Sequence, residues 1–397
     1  MVAVITDVYY KMSLAAIRDL GEKDIRVIAC QSEWLRKDAP DKVPVGFYSK
    51  YASDKRWLPD FNEKPEQYIA ELLKLCDEVS TREEKCVIIP IGAKTLQLLA
   101  RDDVRERFSE YGLMIPTTKQ LDLYNGKKEV ADLACELDVP VPMEYKLNDD
   151  NFEEMLNKIQ VPCVVKPNCG EKLNLKAEQR YFIVREKSQL REKILHFYNL
   201  ENQYPVVQEY VAGAGLGLSI LAQDGEIIDF VGHRRVREYP DTGGPSTCCA
   251  YQEEAELREY ARRFVKAANY SGIAMFEFKQ ASDGSYRLLE INPRVWGTYP
   301  MTRVAKTSFT YNWFVSAYNM VNNKKLTYIK SDNRKKNVKM RYFFADLRAT
   351  INYAKKHKSS MAQQGLIDFL KPGIKDGVIE FGDLSASYHY VLSLFKH

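Results

Sequence analysis

The sequence predicts an α/β domain followed by a larger α+β domain, and three observations carry that prediction. Apolar strand-like runs alternate with helical repeats over the first hundred residues, strands joined by short turns dominate from about 145 to 325, and prolines cluster between the two regimes. At 397 residues the chain exceeds one ordinary core, so two or three domains are expected.

Residues 2–6 read as a strand, 13–20 as a helix stopped by Gly21, and 25–30 as a second strand, which is a βαβ rhythm. Ile69, Leu72, Leu73, Cys76 and Val79 recur at helical spacing, and the run from Cys86 to Ile91 suits a strand buried on both faces. A small doubly wound sheet follows from this order. No GxGxxG follows the first strand, so the dinucleotide-binding reading that such a sheet invites has no residues to carry it. A helix at 127–137 comes next, closed by Asp138-Val139-Pro140-Val141-Pro142, which marks a hinge or boundary. Strands are then expected at 162–167, 181–184, 206–211, 218–222, 226–231, 274–279 and 286–292, several joined by turns such as Gln223-Asp224-Gly225 and Ser282-Asp283-Gly284-Ser285. Beyond about 325 a basic stretch, Arg334-Lys335-Lys336-Asn337-Val338-Lys339, is expected to be a solvated loop before mixed apolar segments resume.

Composition narrows the function classes. With 45% hydrophobic and 12% aromatic residues against 28% charged, the chain can bury sizeable cores and is not a disordered sequence. Lys and Arg total 58 against 54 Asp and Glu, a net charge of +4 without the clustered basic excess of a nucleic-acid binder. No run approaches the ~18 apolar residues of a membrane helix, and the first residues lack the pattern of a signal peptide. A cytoplasmic protein with neither nucleic acid nor membrane as partner is the expectation. The eight cysteines form no CxxC pair and are expected to be reduced, without a zinc site; Cys248-Cys249 reads as two small apolar residues in a loop rather than a redox pair.

The most informative segment runs from Ala274 to Arg294. If Asp283-Gly284 is a two-residue turn, residues whose numbers sum to 567 are paired, which sets Glu277 opposite Glu290. Their β-carbons would lie about 5 Å apart, and like charges so placed destabilise a hairpin unless a cation lies between them. Period two puts Asn292 and Arg294 on the same face. Two carboxylates and an amide oxygen are hard ligands suited to Mg²⁺, although a solvated face whose glutamates are screened by Lys and Arg neighbours is the plainer alternative.

Three further segments carry weaker signals. Lys166 ends an apolar strand and enters the polar stretch Asn168-Cys169-Gly170-Glu171-Lys172, where it meets an anion with little competing water or is simply surface. Gln208, Glu209, Tyr210 and Val211 precede a glycine cluster, Gly213, Gly215 and Gly217; the strand edge can read a flat purine, whereas the glycines alone indicate a tight turn. Arg235 and Arg237 alternate on one strand face before Gly243-Gly244-Pro245-Ser246, an arrangement that fits carboxylate or phosphate binding and equally a salt-bridged structural strand.

Taken together and in this order, these segments resemble the ATP-grasp superfamily, in particular its carbamoyl-phosphate-synthase-like and carboxylate–amine ligase branch, over residues 1 to about 320. The resemblance implies an N-terminal pre-ATP-grasp, Rossmann-like domain at 1–118, an ATP-grasp domain at 119–323 with a lid at roughly 145–208, and a C-terminal extension at 324–397 that shapes either the pocket or a subunit contact. It implies that Lys127, with Lys128 as its rival, and Lys166 bind the nucleotide phosphates, that Gln208, Glu209, Tyr210 and Val211 form the adenine hinge, and that Glu277, Glu290 and Asn292 hold two Mg²⁺ or Mn²⁺ ions. Arg294 then steadies the transferring phosphate, and Arg235, Arg237 and the Gly243-Gly244-Ser246 loop hold the acid. The chain departs from the family pattern at Gly215, where many members carry an acidic residue for the ribose, and in a phosphate-covering loop poorer in Gly and Ser, where lid closure falls to Lys172 or to side chains not yet placed.

The implied activity is ATP-dependent ligation of a carboxylic acid to an amine, amino acids among them, through an acyl phosphate with release of ADP. The protein's share of phosphoryl transfer is positioning and charge neutralisation, which suits a residue set without a nucleophilic Ser or Cys. Phosphorylation of bicarbonate or carbamate is the alternative within the superfamily, and a catalytically silent ATP-binding regulator is the alternative outside enzymes. A homo-oligomer is compatible with all three.

Overall fold

The computed structural model describes residues 1–395 apart from 169, 171, 172, 174, 176–178, 242, 333, 358 and 372. Strands β1 (Val2–Thr6), β2 (Arg26–Ser32), β3 (Ala52–Leu58) and β4 (Val87–Pro90) form a parallel sheet in the order β3-β2-β1-β4. The central strands are continuous apolar runs because both faces are covered: Ala3 and Ile5 pack with the helix Ser13–Gly21, whereas Val4 and Ile28 pack with Ile69 and Leu72 of the helix Pro65–Val79. The edge strand β3 escapes sequence reading because Ser53, Asp54, Lys55 and Arg56 fill its centre and leave no apolar pattern. Gly21 is the last residue of its helix, and packing requires a glycine there: a β-carbon would lie 2.5 Å from the Tyr51 side chain.

Asp7 follows β1 with a φ of 58° and ties together the carboxyl ends of the parallel strands. Its carboxylate accepts from Thr6 Oγ1 at 2.6 Å, Thr95 Oγ1 at 2.9 Å and the Gly92 N–H at 3.1 Å. The loop after β1 is braced again where the Tyr9 N–H donates to Gln31 Oε1 at 2.8 Å. Tyr9, Tyr10, Lys11 and Met12 are thereby presented at the strand ends, where open α/β sheets bind ligands.

Strands β5 (Cys163–Lys166), β6 (Phe182–Val184) and β7 (Val206–Glu209) form an antiparallel sheet in the order β6-β5-β7. β7 stops two residues short of the expected end, and the Tyr210 N–H turns to Pro162 O at 3.3 Å. The helix Lys127–Glu136 forms as expected. The helix before it, Thr118–Asn125, is not foreseen from apolar spacing, although Thr117 and Gln120 make a capping box at its start.

The third sheet comprises β8 (Ala214–Gln223), β9 (Glu226–Glu238), β10 (Ser246–Tyr251), β11 (Gly272–Gln280), β12 (Tyr286–Asn292), β13 (Lys339–Arg341) and β14 (Lys375–Asp376), in the order β12-β11-β8-β9-β10-β13-β14. Three expectations are corrected here. Gly215 and Gly217 lie inside β8 rather than in a tight turn, Cys248 and Cys249 are buried in β10 rather than in a loop, and the basic stretch is not wholly solvated. Arg334 pairs with Asp229 at 2.7 Å and with Glu253 at 2.5 Å, and Lys339 pairs with Asp368 at 3.0 Å.

The chain beyond 324 adds β13 and β14 to this sheet and returns to the first one. Arg18, buried in the helix Ser13–Gly21, donates to Asp383 at 2.9 Å and to Val378 O at 2.7 Å. Asp383 also accepts from Ser49 Oγ at 2.7 Å and the Lys50 N–H at 2.9 Å. Among the described residues no helix is long and apolar enough to cross a membrane.

Candidate active site

Glu277 and Glu290 are direct cross-strand partners on β11 and β12. The turn is not the expected two-residue one: Ala281 and Ser285 close a three-residue loop, with Gly284 at a φ of 86°. A one-residue slip between Glu277 and Phe278 leaves Leu289 as an extra residue on β12 and restores the pairing. The bulge has a second effect, because the Leu289 carbonyl accepts from Lys166 Nζ at 3.1 Å.

The two glutamates are neutralised from different sides. Arg235, on β9, places Nη2 2.6 Å from Glu277 Oε2, whereas Lys127 Nζ lies 4.0 Å from Glu290. Asn292 donates to Glu290 Oε1 at 3.1 Å and, more weakly, to Glu277 Oε1 at 3.4 Å, and its own oxygen accepts from Arg294 Nη2 at 3.1 Å. Burial pushes the Glu277 carboxyl above its ordinary value, and the Arg235 charge only partly offsets this. Burial also acts on Glu290, but Lys127, Lys166 and the Asn292 N–H outweigh it and hold that carboxyl low. Lys166 is pulled down to about 8 by burial and by Lys127.

Asn168 sets the spacing of the two lysines. Its carbonyl accepts from the Lys127 N–H at 3.3 Å and its side-chain oxygen from the Lys128 N–H at 2.8 Å, which fastens the start of the helix Lys127–Glu136 to the end of β5. Lys127 faces the cleft, whereas its rival Lys128 turns away to Tyr204 O at 2.9 Å. Gln208, Glu209, Tyr210 and Val211 line the same cleft, with Glu209 braced because the Met143 N–H donates to its carboxylate at 3.0 Å.

Arg237 is not in the cleft. Its guanidinium is 1% exposed, donates to both oxygens of Asp346 at 2.7 and 2.8 Å, and reaches Asp368 at 2.8 Å. The expected shared face fails because the pairing of β9 with β10 slips between Arg235 and Arg237 and again before Glu238. The glycines of β8 have a related cause: a β-carbon at Gly215 would press on Arg235 Cδ at 3.0 Å, and one at Gly217 would meet the His233 ring at 2.2 Å. The departure at 215 therefore makes room for Arg235. Lys172 and Thr242 lie outside the described residues.

All these cleft residues border one cavity of about 890 Å³, which also takes in Gly243, Gly244 and Ser246. Sequence reading misses other residues of its lining, namely Tyr9, Lys11, Trp296, Thr298, Tyr342 and Tyr390. The loop after the first strand of a parallel sheet is a signal for the first two; nothing local marks Tyr342 or Tyr390.

A family model described as ATP-grasp in the biosynthetic pathway with Ter operon matches residues 201–341. The arginine-specific carbamoyl phosphate synthase large chain of Geobacillus stearothermophilus is 25% identical over 252 residues, 60% of this chain and 22% of that protein, so the chain spans about a fifth of that relative's length. Biotin carboxylase from Campylobacter jejuni is similar in structure, with a TM-score of 0.62 at 15% identity over 85% of this chain and 74% of that one. An L-amino acid ligase from Bacillus licheniformis has a TM-score of 0.54 at 15% identity over 82% and 74% of the two chains. These likenesses agree with the resemblance read from the sequence, and the chain carries the ATP-grasp fold of that superfamily.

Proposed function

We propose that the protein is an ATP-dependent ligase that joins a carboxylic acid to an amine through an acyl phosphate, releasing ADP and phosphate. The observation that carries this reading is the meeting of Glu277, Glu290 and Asn292 with Lys127, Lys166 and Arg294 in one cleft. Two carboxylates paired across rigid strands are hard oxygen donors that fit Mg²⁺ or Mn²⁺, and two ions are part of the proposal. Asn292, whose NH2 faces the glutamates and whose oxygen faces Arg294, would add its oxygen by turning its amide. When bound, the metal supplies charge neutralisation on the phosphate oxygens.

The chain's own residues do the rest. Lys127 and Lys166 bind phosphate oxygens, and Gln208, Glu209, Tyr210 and Val211 border the adenine, Val211 through its backbone. The substrate carboxylate attacks the γ-phosphate, the bond to the ADP oxygen breaks, and Arg294 steadies the phosphoryl group in flight. An amine then displaces phosphate from the acyl carbon and loses a proton as the amide forms. Arg235 and the Gly243-Gly244-Ser246 loop are the candidates for holding the reacting acid, and Arg237 is withdrawn from that role by its buried pairs.

A second reading, phosphorylation of bicarbonate or carbamate, is favoured by the likeness to carboxylases and to carbamoyl phosphate synthase. One experiment separates them: purified protein with ATP, Mg²⁺, a panel of carboxylic acids and hydroxylamine, assayed for hydroxamate and ADP together. Acid-dependent hydroxamate with equal ADP supports the ligase. ADP release that depends on bicarbonate and yields no hydroxamate supports the second reading, and AMP overturns both.

A further inference from the structure

Part of the cleft lining is built from two stretches of the chain that meet only in the folded protein. The loop after β1 contributes Lys11 and Tyr9, and the segment after β13 contributes Tyr342 and Tyr390. The family match covers 201–341, so these four residues lie outside it, whereas Trp296 and Thr298 beside them lie inside.

Lys11 stands with Nζ 3.3 Å from the centre of the Tyr342 ring. That ring is fixed, because its hydroxyl donates to Gly297 O and the residue's N–H donates to Thr247 O at 2.9 Å. Among the described residues no carboxylate or carbonyl accepts a hydrogen bond from Lys11 Nζ. The negative charge that acts on it, Asp376, is already engaged by the N–H groups of Phe343, Val378 and Ile379, each at 2.7 Å. Burial pulls the Lys11 ammonium down to about 8 against the field of Asp376, which leaves it mostly charged at neutral pH. A cation held on a rigid platform inside a cavity, with its hydrogen-bond donors unmatched, is arranged for an anion that arrives with a ligand. The surrounding walls are aromatic, with Trp296 buried, Tyr390 partly buried and Tyr9 beside them.

We propose that the part of the cleft around Lys11 and Tyr342 is a subsite for a non-reacting carboxylate carried on an aromatic or apolar body, with Lys11 as its anion partner. The inference rests on the ligase reading for the word non-reacting, since that reading gives the reacting carboxyl to Arg235 and the Gly243-Gly244-Ser246 loop. It makes one substrate an amphipathic acid such as an aromatic amino acid, rather than bicarbonate or a small hydrophilic acid.

The test titrates the full-length protein calorimetrically, without nucleotide, with L-phenylalanine, 3-phenylpropionate, L-phenylalaninamide and glycine. At least one of the two aromatic acids is expected to bind, with the amide and glycine about tenfold weaker or worse. Lys11→Met should weaken the acid about tenfold, and Lys11→Arg should restore most of the affinity. Failure of both acids to bind, equal binding of the amide, or an unchanged affinity in Lys11→Met would each overturn the subsite. The unmodified protein supplies the acid-against-amide comparison even if a variant misfolds. A parallel titration with ADP and Mg²⁺ judges the nucleotide reading separately, because loss of that signal leaves the acid titration readable.

Discussion

Arg235 Nη2 lies 2.6 Å from Glu277 Oε2, so the glutamate that faces Glu290 across the hairpin has its own guanidinium partner. The pair is therefore asymmetric, with Glu277 held by an arginine from β9 and Glu290 in the field of Lys127 and Lys166.

Replacing either glutamate should uncouple nucleotide binding from the divalent cation. In the parent, ADP with Mg²⁺ is expected to raise the melting temperature more than ADP alone. Glu277→Gln and Glu290→Gln should each remove most of that Mg²⁺-dependent increment. The melting temperature without ligand should fall more in Glu277→Gln, which strips Arg235 of its 2.6 Å partner, than in Glu290→Gln, where the loss of Lys127's more distant partner is offset by removal of a like charge. A full Mg²⁺ increment in both variants would refute the metal assignment.

Arg237 should matter for stability rather than chemistry. It joins β9 to Asp346 in the helix Phe343–Lys355 and to Asp368 in the helix Ser359–Leu370, with both ion pairs fully buried. Arg237→Ala leaves the buried Asp346 without its cation and Asp368 with Lys339 alone, and should cost about 3–5 kcal/mol of unfolding free energy. Urea unfolding measures this, and limited proteolysis should show earlier cleavage after residue 342. A variant of parental stability would contradict the role.

These two arginines show what is legible in the sequence and what is not. Glu277 and Glu290 can be matched from sequence because a hairpin relates residues close along the chain, although the pairing survives through a three-residue loop offset by a bulge at Leu289. Arg237 is misassigned because its partners lie 109 and 131 residues away and the register slip at β10 leaves no mark in the pattern. Lys11 is missed for the same reason, since Tyr342 reaches it only through the fold. Strand β3 is missed because an edge strand can carry polar residues on both faces.

His233 should impose an acid-side stability loss. It is buried beside Arg235, and burial first and that charge second pull its pKa down to about 3. Its Nε2 meets Thr298 Oγ1 at 3.1 Å. The unfolded chain binds the proton near 6.5, so between about 6.5 and 3 the unfolded state carries more protons and stability falls as pH falls. The limiting slope from one such group is about 1.4 kcal/mol per pH unit. The stability difference between the parent and His233→Gln should therefore shrink as pH drops through this window, as read from urea unfolding at several pH values. A difference independent of pH would mean that His233 is not held neutral.

Arg294 should separate turnover from nucleotide affinity. Its Nη2 donates to Asn292 Oδ1 at 3.1 Å and its Nη1 to Val295 O at 3.2 Å, so the guanidinium is oriented from two sides at the rim of the glutamate pair. A group set in this way costs no reorganisation when charge develops on the transferring phosphoryl group. Arg294→Ala is expected to lower kcat by about 10²–10³ while the dissociation constant for ADP with Mg²⁺ changes by no more than about threefold, because the ground-state phosphates are left to Lys127 and Lys166. Arg294→Lys should recover little, since an ammonium cannot reproduce a planar fork that meets Asn292 and the phosphoryl oxygens together. Equal losses in affinity and turnover would place Arg294 in nucleotide binding instead, and parental turnover would remove it from the site.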